Sequence, residues 1–134
     1  METIIFTDNE EILDCTDNQL TSLEGVNNDV NLKTLICYNN KITSLEGINN
    51  LVNLQKLYCS NNKIKSLEGI NNLVDLQILY CYDNQITSFE GIRKSNLINL
   101  KIFNCSNNQI TSLEGLHNLV NLQELYCYNN KIKS

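Results

Sequence analysis

The sequence predicts an α/β solenoid of about six coils. Each coil gives one short strand to a parallel sheet on the concave side and a short helical turn to the convex side. Three observations lead there. First, residues 31–52 read NLKTLICYNNKITSLEGINNLV, and residues 53–74 repeat them as NLQKLYCSNNKIKSLEGINNLV. The pattern recurs at 75–98 with two residues inserted, at 99–120, and at 121–134 cut short, with a weaker copy at 9–30. Self-similarity at such a period is the signature of a stacked array. Second, each copy opens with apolar residues at a spacing of two and continues with apolar residues at helical spacing. Third, the chain has 134 residues, no Pro and Gly at only one position of the repeat, which predicts no linker and a single domain over 1–134.

At the start, residues 1–8 hold Ile4, Ile5 and Phe6, which are expected to form an edge strand covering the first coil. A stacked array exposes apolar side chains at its ends and calls for such a cap. In the first copy Glu10 and Asp29 stand where later copies have Leu32 and Leu51, as a capping repeat would show. At the other end the coil 121–134 stops half-way, and the expectation is an uncapped face.

Within a coil, Thr34–Tyr38 reads as the strand. Alternation sends Leu35 and Cys37 inward and Thr34, Ile36 and Tyr38 outward. Six such strands at ~4.8 Å spacing predict a solenoid roughly 25–30 Å long. The chain then turns at Asn40, which with Asn18, Asn62, Asn84, Asn108 and Asn130 forms one ladder. A buried amide there both donates and accepts, and satisfies turn backbone that lacks a sheet partner. On the outer side Leu45, Ile48, Leu51 and Val52 are expected to form one apolar face of a short helical turn. Thr43 and Glu46 have capping-box spacing for its start, and Ser66 replaces the threonine where Lys65 intrudes. Gly47 marks a bend or a close backbone approach. The insertion around Arg93, Lys94, Ser95 and Asn96 is expected to bulge on the convex side and leave the strands in register.

The spacing L-x-x-L-x-C-x-x-N-x-I, carried by Leu32, Leu35, Cys37, Asn40 and Ile42, resembles the leucine-rich repeat family. With its L-x-x-L tail, the repeat is similar to the short internalin-like or phosphatase-regulator class and covers about nine-tenths of the chain. The resemblance implies a right-handed solenoid whose convex side is mostly 3₁₀ helix, short helix or loop, and a binding module without shared catalytic residues. Cys stands where a second Leu or Ile is usual, which changes packing. The Asn-rich flavour (24 residues) resembles repeat proteins of AT-rich amoebae and the large DNA viruses that infect them. It implies action in a cell's cytoplasm, the host's if the chain is viral, as an adaptor or scaffold.

Several function classes are disfavoured. A net charge of −5 argues against a nucleic-acid partner. No apolar run approaches the ~18 residues of a membrane span, and METIIFTDNEE lacks the charged and apolar regions of a signal peptide. Cys15, Cys37, Cys59, Cys81, Cys105 and Cys127 come once per coil at an inward position. Stacked neighbours lie close enough to bridge, but their parallel side chains disfavour the disulfide dihedral, so buried free thiols in an intracellular setting are expected. No spacing supports a metal site, and no cofactor is expected. Glu24, Glu46, Glu68, Glu90 and Glu114 form a column too poor in oxygens for calcium and better suited to helix starts. His117 replaces Asn49 and Asn71 of other coils on the convex surface. With no nucleophile beside an identifiable base, an enzyme is not expected.

All six tyrosines fall on two outward strand columns: Tyr58, Tyr80 and Tyr126 on one, Tyr38, Tyr82 and Tyr128 on the other. Ile36 shares the first column, while Ile78 and Ile102 lie one column over. Asp14, Asn104 and Glu124 interrupt the stripe, and Lys41, Lys63 and Lys131 stand at its rim. An exposed apolar stripe on a concave sheet points to a protein or peptide partner, since tyrosine supplies rigid, amphipathic contact area. Duplication of LYCYNN would equally repeat the rings with no partner. The alternative function is structural: a homo-oligomer assembled through terminal coils.

Overall fold

The computed structural model describes residues 11–26 and 30–133. The expected cap at 1–8 and the polar replacements Glu10 and Asp29 lie outside the described residues. Six three-residue strands follow one another: β1 (Ile12–Asp14), β2 (Thr34–Ile36), β3 (Lys56–Tyr58), β4 (Ile78–Tyr80), β5 (Ile102–Asn104) and β6 (Glu124–Tyr126). They pair in parallel, each with the next in sequence, in one sheet. The strands are shorter than the five residues expected, yet the ladder runs on past them. Cys37 N–H donates to the Tyr58 carbonyl at 2.8 Å and Asn39 N–H to the Ser60 carbonyl at 3.2 Å.

The strand centres Leu35, Leu57, Leu79 and Phe103 are wholly buried, as are Cys37, Cys59, Cys81 and Cys105. Residues before and after each centre face out, so the two-residue period delivers the predicted division. Phe89 and Phe103, which replace leucines of other copies, meet edge-on at 5.7 Å in the core.

Asparagine closes each turn. Asn62 Nδ2 donates to the carbonyls of Cys37, Cys59 and Ser60, while its Oδ1 accepts from Ile42 N–H at 3.0 Å. Asn40, Asn84 and Asn108 repeat the arrangement, and Asn130 repeats it half-buried. Asn18 donates its N–H to Asn40 Oδ1. Because these bonds span adjacent coils, each amide ties a turn to its neighbour.

The outer side differs from expectation in two respects. Leu45, Ile48, Leu51 and Leu54 are buried at a spacing of three, and the N–H of each of the last three donates to the carbonyl three residues before. That is the period of 3₁₀-type turns. It places Val52 outside, 44% exposed, with Val30, Val74, Ile98 and Val120 beside it in a column. The capping box is also replaced: Ser44 Oγ, not Thr43, accepts the Glu46 N–H at 2.9 Å, and Ser22, Ser66, Ser88 and Ser112 do the same for their glutamates. Gly69 has φ +109°, and a Cβ on it would come within 2.7 Å of the Leu45 carbonyl oxygen. The glycine therefore serves a close approach as well as a bend. The two-residue insertion follows the short helix α1 (Glu90–Arg93) on the convex side. Asn118 Nδ2 donates to the Arg93 carbonyl, and β4 and β5 remain in register, Leu79 opposite Phe103.

Candidate functional site

The register builds the concave face column by column. Ile36, Tyr58, Tyr80, Asn104 and Tyr126 are opposed in turn across β2 to β6, with Asp14 before them. Lys56, Ile78, Ile102 and Glu124 form the parallel column two residues earlier. Two residues after the first column come Tyr38, Ser60, Tyr82, Ser106 and Tyr128. Every predicted site residue thus lies on the outer face of the sheet.

The tyrosines do not form one uniform stripe. Tyr38, Tyr58, Tyr80 and Tyr82 close into a ring of contacts: Tyr38–Tyr58 at 5.9 Å, Tyr58–Tyr80 at 5.1 Å, Tyr80–Tyr82 at 6.3 Å and Tyr82–Tyr38 at 6.4 Å between centroids. Ser60 makes the last contact possible. It sits between Tyr38 and Tyr82 in their column, is wholly buried, and its Oγ accepts the Tyr82 N–H at 3.1 Å. A large side chain there would hold the two rings apart. Tyr126 and Tyr128 stand open, 43% and 59% exposed, separated from the cluster by Asn104 and Ser106. Among the described residues neither has a ring contact.

Burial in the cluster raises the Tyr38 phenol well above its ordinary value and the Tyr58 phenol less so, with neighbouring phenols adding to the effect. Both are therefore hydrogen-bond donors at neutral pH. Inside the sheet the thiols are likewise held neutral. Desolvation pushes Cys59 and Cys105 up to about 12 and Cys15 to about 11, and raises Cys37 and Cys81 too. All six cysteines are free. Such groups are poor nucleophiles and metal ligands.

The convex side carries an open groove of about 600 Å³ lined by Glu46, Asn49, Glu68, Gly69, Asn71, Asn72 and Lys94. Lys94, from the insertion, reaches Glu68 at 3.2 Å and neutralises part of the glutamate column. Its lining holds no aromatic ring. His117 lies exposed in a 3₁₀ turn (Leu116–Asn118), as expected for the convex surface. Sequence patterning missed two features here. Ser60 is legible in hindsight as the small residue alternating with tyrosine in one column. Asn53, Asn99 and Asn121 form a second amide row, donating across the coil junctions to the carbonyls of Val30, Val74 and Ile98.

Two of three comparisons with known proteins agree with this geometry. The family model for leucine-rich repeats (2 copies) matches residues 30–72, 52–94 and 98–134. Among curated proteins nothing matches in sequence. Among solved structures, an internalin (inlF) from Listeria monocytogenes superposes with a TM-score of 0.77 at 31% identity, covering 87% of this chain and 34% of that one. An internalin C2 (inlC2) from the same organism gives 0.66 at 28% identity, covering 92% and 64%. The functional domain of InlJ from Listeria monocytogenes, which includes a cysteine ladder, gives 0.72 at 30% identity, covering 92% and 31%. The chain thus spans less than two thirds of the length of each of these structures. Folds of this kind generally serve as protein-interaction scaffolds rather than catalysts. On the matched repeats, the chain belongs to the leucine-rich repeat family.

Proposed function

We propose that the chain is a non-catalytic binding module, taking a protein or peptide across the tyrosine-bearing concave sheet. The observation that carries this is the six rings on one outward face, four packed into a platform and two left open. Rigid aromatic area costs little entropy to immobilise, and monomers seldom expose such a surface without use. Membership of a family of interaction scaffolds supports the same conclusion. Buried, un-ionised thiols support residence in a reducing compartment. The test is partner capture by matched variants. Tyr58→Ala with Tyr80→Ala should abolish capture, while Val52→Asn with Val74→Asn on the convex column should leave it intact. Unimpaired capture by the tyrosine variant would remove the concave face from consideration.

A further inference from the structure

Resting on the concave-face reading, we infer that the partner segment over the four-tyrosine cluster is an extended acidic peptide. Its carboxylates would meet Lys41, Lys56, Lys63 and the phenol hydroxyls, and an apolar side chain would lie against the rings. The inference comes from how charge is distributed in an acidic protein.

Net charge is −5, yet the acids are placed away from the cluster. Five glutamates line the convex turns, where Ser hydroxyls hold their N–H groups. On the concave side Glu11 is paired with Lys33 at 3.4 Å, Asp14 and Asp17 belong to the first coil, and Glu124 belongs to the last. Lys56 shares the outward face of β3 with Tyr58, and Lys41 and Lys63 leave the turns that follow Tyr38 and Ser60. All three are exposed, and among the described residues none forms an ion pair. In the strands and following turns of coils 2 to 4 stand these three lysines, without an ion pair, and one aspartate, Asp83, with Asp14 one strand before. A partly desolvated sheet face strengthens that attraction over its value in open water.

The rings add to this. Their interplanar angles are 41°, 77°, 53° and 40° around the cycle, so the rings are tilted against one another rather than stacked face to face. Such a cluster offers a ligand ring edges and hydroxyls as well as faces. Ring edges are electropositive and phenols donate, both of which favour a carboxylate. Among the described residues no phenol of the four has a hydrogen-bond partner within the chain. Single-stranded nucleic acid is disfavoured, because a protein of net charge −5 repels its phosphates.

Selection of a random peptide library displayed on phage, with the full chain as bait, tests this. Enriched sequences should carry excess Asp and Glu beside an apolar residue, and their binding should weaken as salt rises. A selected peptide should lose affinity at least about tenfold with Lys41→Glu, Lys56→Glu and Lys63→Glu combined. Tyr58→Phe with Tyr80→Phe, which keeps the packing and removes two hydroxyls, should weaken it by a few-fold. Neutral or basic enrichment, or no enrichment, overturns the acidic assignment. So does tighter binding of an oligothymidylate in an anisotropy titration. If the enriched peptides are neutral but need the tyrosines, the concave face stands and only the charge inference falls. If binding ignores both lysines and tyrosines, the concave face falls with it.

Discussion

The asparagine ladder and the tyrosine stripe both recur with the period of the coil, yet they stand in opposite relations to the fold. From Asn40 onward each ladder amide donates and accepts inside the chain, mainly on backbone of its own coil and of the coil before it. Four of the six tyrosines of the stripe make ring contacts with one another, and among the described residues their hydroxyls have no partner within the chain. A repeated residue is structural when its neighbours consume its chemistry. It is available for recognition when they do not.

The largest expected effect concerns what lies beneath both. Five buried thiols have values raised above the ordinary 9.0 by desolvation, to about 12 for Cys59 and Cys105. In an unfolded chain they ionise near 9.0. The raised folded values mean that their contribution is complete below about pH 9 and is lost as pH climbs toward 12, since the unfolded state then gains thiolates that the folded state refuses. Tyr38 and Tyr58 act in the same direction from about pH 10 upward. The urea midpoint should be flat from neutral pH to about 8.5 and then collapse. Cys59→Ala should make the fall shallower. A midpoint unchanged at pH 11 would mean that the thiols meet water, and would break the contrast between inner and outer faces.

Next comes Asn62→Ala. It strands the Ile42 N–H, at ~1–3 kcal/mol for a buried donor without a partner, and removes one bond each, at ~0.5–1.5 kcal/mol, from the Cys37, Cys59 and Ser60 carbonyls, which keep those from Asn40, Asn84 and Asn39. A loss of about 3–5 kcal/mol is expected in urea unfolding. The same change at half-buried Asn130 should cost about half as much, because water reaches the groups it abandons. Equal losses at the two sites would show that the ladder does not act through desolvated backbone.

A smaller loss, about 2–3 kcal/mol, is expected from Gly69→Ala. It combines positive φ with a Cβ placed 2.7 Å from a backbone oxygen that cannot move without shifting the neighbouring coil. The readout is again the urea midpoint. Gly25→Ala, with open space around it, is the control.

Much of this architecture is legible in the sequence because a two-residue period and a coil repeat leave little choice. Leu35, Cys37 and Asn40 turn inward and Ile36 and Tyr38 outward wherever the strand forms. The outer side was harder to read. A helical period draws Val52 into the apolar face with Leu51, whereas 3₁₀-type turns repeat at three and leave Val52 in solvent. Ser44 displaces Thr43 as the hydroxyl that holds the turn for a related reason, since tighter turns shift the capping geometry. The candidate site was legible as columns but not as a cluster. Periodicity gives the column of Tyr38 and Tyr82, but only packing shows that buried Ser60 lets their rings meet across it.

That cluster separates two kinds of tyrosine, and the separation can be measured. Tyr58→Ala with Tyr80→Ala removes three of the four ring contacts, at ~0.5–1.5 kcal/mol each, so the melting temperature should fall along with any binding. Tyr126→Ala with Tyr128→Ala removes rings that touch no other ring and are about half exposed, so stability should change by no more than about 0.5 kcal/mol. Any loss of partner affinity in that second variant would report contact alone, free of rearrangement in the sheet. If the open pair costs as much stability as the packed pair, the rings are bound to the chain in some other way and the platform is not a separate unit. If only the packed pair matters to both stability and binding, recognition sits in coils 2 to 4, and Tyr126 and Tyr128 are copies carried along by duplication.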